Sequence, residues 1–353
     1  MKLSKEQEEH ALAMHKKSIV IDGHSDYSVD IARYQSQGES RVYESRHLPD
    51  LKKGGVTAEV MTVGGDLSCG PIWGASPYNV LEMLNYVLTD FTESKNSVVI
   101  VNKADDIRRA KKNGKTALIF CLEGSKPLEN KLYLLRIYHS LGIRYLGLTW
   151  NGRNLVADGC GEKEPAGLSN FGRSVVEEAN RLGIVIDVSH ASEPSFWDTL
   201  EMSNAPIVAS HSNARVLCNH PRNLNDDQIK ALAEKEGVIG MNCWPRFIDE
   251  KYPSLSKLLN HLDYVEKLVG TDHISLGPDF AHYLIDVVKS DLNQMSQEGI
   301  PMSLKDLTFP ENISRASDLV NITKGLVYRG YSDHEIRRIL GGNLMRIYSK
   351  VFG

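Results

Sequence analysis

Residues 18–28 read SIVIDGHSDYS. Residues 19–21 form a short β-branched run that closes on Asp22, the pattern of a buried strand. After Gly23 come His24 and Asp26, two positions apart, so both side chains leave an extended chain on the same side. Only a glycine separates the acid that ends the strand from this pair, and Gly23 allows the backbone to approach a neighbouring group closely. An imidazole and a carboxylate stand together where a buried strand runs out.

Seven further apolar runs of this type follow, at 56–63, 117–122, 144–149, 184–188, 207–210, 238–242 and 273–276. Segments with helical period lie between most of them. SPYNVLEMLNYVLTDF opens on Ser76-Pro77, a cap followed by proline at the first helical position. GLSNFGRSVVEEANRLG keeps its apolar positions on one face and stops at Gly183. NDDQIKALAEKEG begins with an Asn/Asp cap and is expected to stop at Gly237. Eight strands alternating with helices predict parallel βα units, and eight is the number that closes a (β/α)8 TIM barrel, for which about 250 residues suffice. The surplus is an N-terminal helix, an insertion near 64–110 and the C-terminal helices, in which SDHEIRRILGGNLMRIYSKVF reads as two helices broken at Gly341-Gly342. With no Pro/Ser-rich linker, residues 1–353 read as one domain. The rival is a doubly wound open sheet, whose dinucleotide-binding form is weakened because no G-x-G-x-x-G follows the first strand.

The chain has 353 residues, 41% apolar and 24% charged, with a formal charge of −4, which fits a soluble globular protein. Nothing in that balance calls for a nucleic-acid or anionic-membrane partner. Basic pairs such as Arg108-Arg109 and Lys111-Lys112 read as solvated helix faces. The first 18 residues are charged and helical rather than an apolar leader, and no apolar run could span a bilayer. The five cysteines are dispersed, without C-x-x-C spacing. A reduced, cytoplasmic protein with free thiols is expected.

In a parallel barrel the working groups gather at the carboxyl ends of the strands. Strand one ends in His24 and Asp26, strand three in Glu123 (LIFCLEGS), strand five in His190 (IVIDVSH), strand six in His211 (IVASHSN) and strand eight in Asp279 (SLGPDF). Each alone has an ordinary explanation, a loop hydrogen bond or a helix cap. Together, three carboxylates at one rim would repel one another or lose solvation unless a cation neutralised them. Neutral imidazole with carboxylate suits Zn²⁺ and related ions. His24, Asp26, Glu123, His190 and His211 exceed the needs of one tetrahedral site, so they predict two metals with Glu123 as the bridge and a water activated between them. Asp279 is left to move the proton from that water to a leaving amine. His47, His139, His261, His273 and His282 are expected mostly at the surface, as are His10 and His334; His220 is expected to orient Arg222.

The motifs DGHSD, CLEGS, LGIRYLGLTWN, GLSNFGRSVVEEANRLGIVIDVSHAS, APIVASHSNARVLCNHPRNLNDDQI and ISLGPDF occur in order from residue 22 to about residue 280. In them the chain resembles the membrane (renal) dipeptidase family of metallopeptidases, which includes soluble bacterial members; LGGNLMRIY is similar to the family's final helix. The resemblance implies a (β/α)8 barrel hydrolysing dipeptides, some with a D-residue on the carboxyl side, at a binuclear zinc centre, often as a homodimer. It also implies that His24 and Asp26 bind one metal, His190 and His211 the other, that Glu123 bridges, that Asp279 is the acid/base, and that Arg222 holds the substrate carboxylate, a task that suits a planar guanidinium.

Two positions depart from the family pattern. Mammalian members carry a histidine directly after the Leu-Thr of strand four, where this chain has Trp150. Stabilisation of the oxyanion then falls to a metal, Asn151, Arg153 or another group, with Trp150 and Asn151 beside the substrate. After Asp279 come Phe280, Ala281 and His282 in place of Phe-Asp-Gly. Pocket walls are expected from Tyr27, Trp73, Trp150, Trp244 and Phe247. An N-acyl amino acid deacylase or lactonase on the same binuclear barrel is the alternative chemistry. It is disfavoured by His-x-Asp in place of His-x-His and by the lack of a lysine at strand four. A non-catalytic metal-stabilised binding protein would be expected to have lost part of the metal set, and none is missing.

Overall fold

The structure is a computed structural model that describes residues 2–67, 74–94, 96–285 and 308–353. Eight parallel strands follow one another around a nearly closed barrel: β1 (Val20–Ser25), β2 (Val56–Gly65), β3 (Thr116–Glu123), β4 (Ile143–Gly147), β5 (Val185–Asp187), β6 (Val208–Ala209), β7 (Val238–Met241) and β8 (Ile274–Leu276). Each pairs in parallel with the next from β1 to β8. All eight expected strands are present and the fold is a (β/α)8 barrel. A short strand not foreseen, Val98–Ile100, pairs with the start of β3 inside the stretch read as an insertion.

The alternation of side chains along the strands divides the core. Ala58, Val60, Ala117, Ile119, Cys121, Tyr145, Val185 and Val208 form one buried cluster with Leu344, Met345, Ile347 and Tyr348 of the C-terminal helix Asn343–Val351. Residues of the opposite parity, among them Leu118, Phe120, Leu122, Ile186 and Ile239, pack against the surrounding helices. Glu123 shares its parity with Ala117, Ile119 and Cys121, so it carries that row to the rim.

The helix ends behave largely as the sequence dictates. Ser76 caps Pro77–Glu93 by accepting from the Asn79 amide, and Ser169 caps Asn170–Leu182, which stops at Gly183 with φ 71°. Asn225 and Gln228 form a capping box at the start of Asp226–Glu234. That helix stops before Gly237: Glu236 takes the left-handed conformation at φ 58°. Gly237 is needed for another reason, because a Cβ there would lie 2.5 Å from the Ile207 carbonyl oxygen.

Backbone crowding joins the two ends of the barrel. A Cβ on Gly23 would lie 2.7 Å from the Leu276 oxygen and 3.2 Å from the Ser210 oxygen, and one on Gly277 would be driven into the Ser210 carbonyl. Glycines from both sides thus admit the end of β6 to the barrel interior, beside β1. Replacing Gly277 by alanine is expected to cost about 1–3 kcal/mol, read from the midpoint of denaturant unfolding.

Candidate metal centre and active site

Three histidines converge on one carboxylate oxygen. Glu123 Oε1 lies 3.1 Å from His190 Nε2, 3.3 Å from His24 Nε2 and 3.6 Å from His211 Nε2. All four side chains are buried. The His24 and His211 rings stack at 4.0 Å between centroids, a consequence of the glycine-lined approach of β6 to β1. Asp26 and Asp279 complete the ring, with Oδ1 atoms 3.7 Å and 3.9 Å from His24 Nε2.

The sequence builds this rim with one repeated local device. Asp22 Oδ1 accepts the His24 amide at 3.0 Å, Asp187 Oδ1 accepts the Ser189 amide at 3.0 Å, and Asn242 Oδ1 accepts the Trp244 amide at 2.6 Å. Asp187 ends its strand and Asn242 follows its own, whereas Asp22 lies inside β1 where the pairing with β2 shifts register; each holds the amide two residues on. IVIDGH and IVIDVSH display that signal in the sequence, although Asp187 and Asn242 were not foreseen as parts of the site. Asn242 also donates to Asp279 Oδ2 at 3.2 Å. Asp279 itself sits at φ 58°, a strained conformation for a residue with a side chain.

Hydrogen bonds behind the rings fix their tautomers. His190 Nδ1 donates to Asn151 Oδ1 at 2.8 Å. Ser210 Oγ gives its proton to Asp187 Oδ2 and accepts from His211 Nδ1 at 2.6 Å. Both imidazoles therefore turn an Nε2 lone pair inward, and those two nitrogens are 3.0 Å apart. Burial holds the pKa of both rings well below that of a free histidine, assisted by the Arg222 and His24 charges. Burial acts on His24 in the same sense, but Glu123, Asp26 and Asp279 outweigh it and hold that pKa well above the ordinary value. Burial raises Glu123 strongly and Asp279 to about 6.

This donor set fits a divalent metal. The Nε2 atoms of His190 and His211 and the Glu123 oxygen crowd one point, and the buried Asp26 Oδ1 has no hydrogen-bond partner. Ligand atoms of His24, Glu123 and His211 lie within 4.8 Å of one another, as do those of His24, Asp26 and Asp279. Neutral imidazoles pinned through Nδ1 are the usual form of a metal-binding histidine.

Arg222 is buried beside the ligands. Its guanidinium donates to the Ser189 carbonyl, and Nη2 approaches His190 Nε2 at 3.1 Å and the His211 oxygen at 3.3 Å. His220 Nδ1 accepts the Arg222 amide at 3.2 Å, so it holds the backbone rather than the guanidinium. Trp150 stacks on His190 with centroids 5.7 Å apart. It packs in an apolar cluster with Trp244, Leu67 and Ala281, so Ala281 extends an apolar wall. Phe247 lies beneath the Arg222 guanidinium and stacks on Trp244, whereas Tyr27 stacks on Tyr283. Trp73 and Cys69 lie outside the described residues. His282 is half-buried against Tyr283. His47 and His261 are corrected to buried packing residues at 5% and 1% exposure; His261 donates to the Ile248 oxygen at 2.8 Å.

One further residue was not legible beforehand. Asp66, at the end of β2, accepts from the Lys126 amide at 2.7 Å, the Trp150 amide at 3.0 Å and the Asn154 side chain at 2.7 Å. It thereby ties the segment after Glu123 to the segment after β4.

The match to known proteins covers almost the whole chain: residues 8–352 fit the model of the membrane dipeptidase family, peptidase family M19. The chain belongs to that family. By family it is a metal-dependent dipeptidase. A dipeptidase of Claviceps purpurea is 32% identical over 256 residues, 71% of this chain, and the matched region spans only 55% of that protein. A dipeptidase of Aspergillus oryzae is 27% identical over 351 residues, 94% of this chain and 78% of the relative. The solved structure of dipeptidase AC, a metallopeptidase, is 25% identical and covers 95% of this chain and 99% of its own, with a TM-score of 0.78. Among the described residues no helix is long and apolar enough to cross a membrane.

The hydrogen bond to His190 gives Asn151 a measurable role in this dipeptidase. Asn151→Ala is expected to weaken metal binding about 10- to 100-fold, measured by competition with a chelator, while Asn151→Asp, which keeps the acceptor, retains most of the affinity.

Proposed function

We propose that the chain hydrolyses the peptide bond of dipeptides at two zinc ions bridged by Glu123. His24 and Asp26 would hold one ion, and His190 and His211 the other. The observation that carries this reading is the convergence of the His190 and His211 Nε2 atoms on Glu123 Oε1 beside His24, Asp26 and Asp279, a donor set of imidazole and carboxylate that suits divalent cations. Bound zinc supplies a Lewis acid and a water acidified enough to attack at neutral pH.

The chain's own residues handle the substrate and the proton. Arg222, buried against Phe247, receives the free carboxylate of the dipeptide, and that charge fixes the distance from the substrate's end to its scissile bond. Asp279 stands opposite Glu123 with a pKa near 6. It is suited to accept the proton of the attacking water and deliver it to the leaving amine. Trp150 closes the His190 side and excludes water. Asn151 is committed to His190, and Arg153 is paired with Asp158 through two contacts of 2.6 Å and 2.9 Å. Only the Oδ1 acceptor of Asn151 is used in this way; its Nδ2 amide is the donor proposed to meet charge developing on the scissile carbonyl in place of the histidine that mammalian members carry. Dipeptides with a D-residue on the carboxyl side belong to the proposed range, and a cytoplasmic homodimer is the proposed form.

Metal analysis of the purified protein is expected to find close to two zinc ions per chain, and activity on a dipeptide library is expected to vanish with a chelator and return with zinc. Asp279→Asn is expected to lower kcat by about 100-fold or more with both metals retained; full activity in that variant would refute the acid/base assignment. Preference for N-acyl amino acids over dipeptides would instead favour the deacylase chemistry. Arg222→Met is expected to raise KM for dipeptides, measured by initial rates.

A further inference from the structure

The opposite end of the barrel carries a second concavity, remote from the metal ligands in the strand direction. A cavity of about 520 Å³ opens where β2 and β3 begin, at Val56, Thr57 and Thr116. Lys16, Lys52, Lys53, Lys111 and Lys115 line it, and no carboxylate does. Lys16, Lys52, Lys53 and Lys111 form no ion pair or side-chain hydrogen bond among the described residues. Elsewhere on the surface Lys257, Lys324 and Lys350 each meet a carboxylate. What distinguishes Lys16, Lys52, Lys53 and Lys111 is that they gather around one cavity that no carboxylate lines.

Three helices end at this hollow: Lys5–Lys17, Leu48–Lys53 and Ala104–Lys112. A lysine in a last turn suits the negative end of a helix, which accounts for the residues of each helix taken singly. It does not account for the gathering of four such ammonium groups around one cavity that no carboxylate lines, in a chain of net charge −4. The floor offers no relief. His15 is buried, with Nε2 2.8 Å from the Gly54 oxygen and Nδ1 2.7 Å from Thr323 Oγ1. Both ring nitrogens are therefore occupied. Lys111 is half-buried, and burial lowers its pKa. An anion seated among these ammonium groups would remove their mutual repulsion.

We propose that this hollow is a binding site for a small oligophosphate, held by Lys16, Lys52, Lys53 and Lys111 at the strand-start end of the barrel. Ammonium groups serve phosphate as mobile point charges, and a concave wall of one sign concentrates their field. Inorganic oligophosphate and the phosphate chain of a nucleotide share this chemistry. Leu12 and Val320 on the wall are the groups that an organic moiety would touch. The site is independent of the dipeptidase reading, since none of its residues belongs to the metal centre.

The test is calorimetric titration of the zinc-loaded protein with inorganic tripolyphosphate and, separately, with a nucleoside triphosphate. The wild type is compared with a variant carrying Lys16→Gln, Lys52→Gln, Lys53→Gln and Lys111→Gln. Both proteins keep the same metal centre, so any ligand effect on zinc is common to them. The expected result is binding weakened about tenfold or more in the variant, with dipeptide hydrolysis unchanged. Lysine acylation read by mass spectrometry is expected to show tripolyphosphate protecting these four lysines and leaving Lys5 and Lys257 reactive. Equal affinity in the two proteins, no binding by the wild type, or uniform protection would overturn the proposal. Tighter binding of the nucleoside triphosphate would add Leu12 and Val320 to the site, and equal binding would assign the affinity to the phosphates alone.

Discussion

A single buried oxygen, Glu123 Oε1, receives three imidazoles, and the rest of the rim is arranged around that meeting. Burial makes each unmatched lone pair costly, and the carboxylates of Asp26 and Asp279 add charge of the same sign. The protein fixes the geometry from behind. Asn151 holds His190, and the pair Asp187 and Ser210 holds His211, so the inward nitrogens cannot escape by exchanging tautomers. The donor set is thus organised for metal by hydrogen bonds that never touch it.

The barrel supplies the second constraint, which is closeness. β6 ends against β1 because Gly23 and Gly277 leave room for the Ser210 carbonyl, and the stacking of His24 on His211 follows from that. Side chains at those glycines would move β6 outward and separate ligands that lie far apart in sequence. Asp66 acts similarly on the other side of the rim, tying the segment after Glu123 to the loop that carries Trp150. Stability of the barrel top and placement of the ligands are therefore the same property.

Trp150 shows how a family site can be altered without losing its frame. Its backbone is held by Asp66 and its ring lies on His190, so the indole occupies the space beside the ligand with apolar surface. Trp244, Leu67 and Ala281 continue that surface. Of the loop polar groups beside it, Arg153 is engaged with Asp158, and Asn151 meets His190 through its acceptor oxygen alone. The change puts apolar surface beside His190, while His24, Asp26, Glu123, His190 and His211 stay gathered at the rim.

Much of this was legible in the sequence because it is encoded locally. Strand alternation, Ser and Asn helix caps, and polar residues closing apolar runs each depend on neighbours a few positions away, and they located the eight strands and the candidate ligands. Even the turns at Asp22, Asp187 and Asn242 carry a local signal. The tertiary structure decided what depends on distant partners: which nitrogen of each histidine faces inward, that Asn151 supports a ligand, that Asp66 joins two loops, and that His47 and His261 are buried. It also brought three lysine-bearing helix ends around one hollow. Of these, Lys111-Lys112 reads as a solvated face when taken alone, because a sequence states the charge of a helix terminus but not which other termini it will meet.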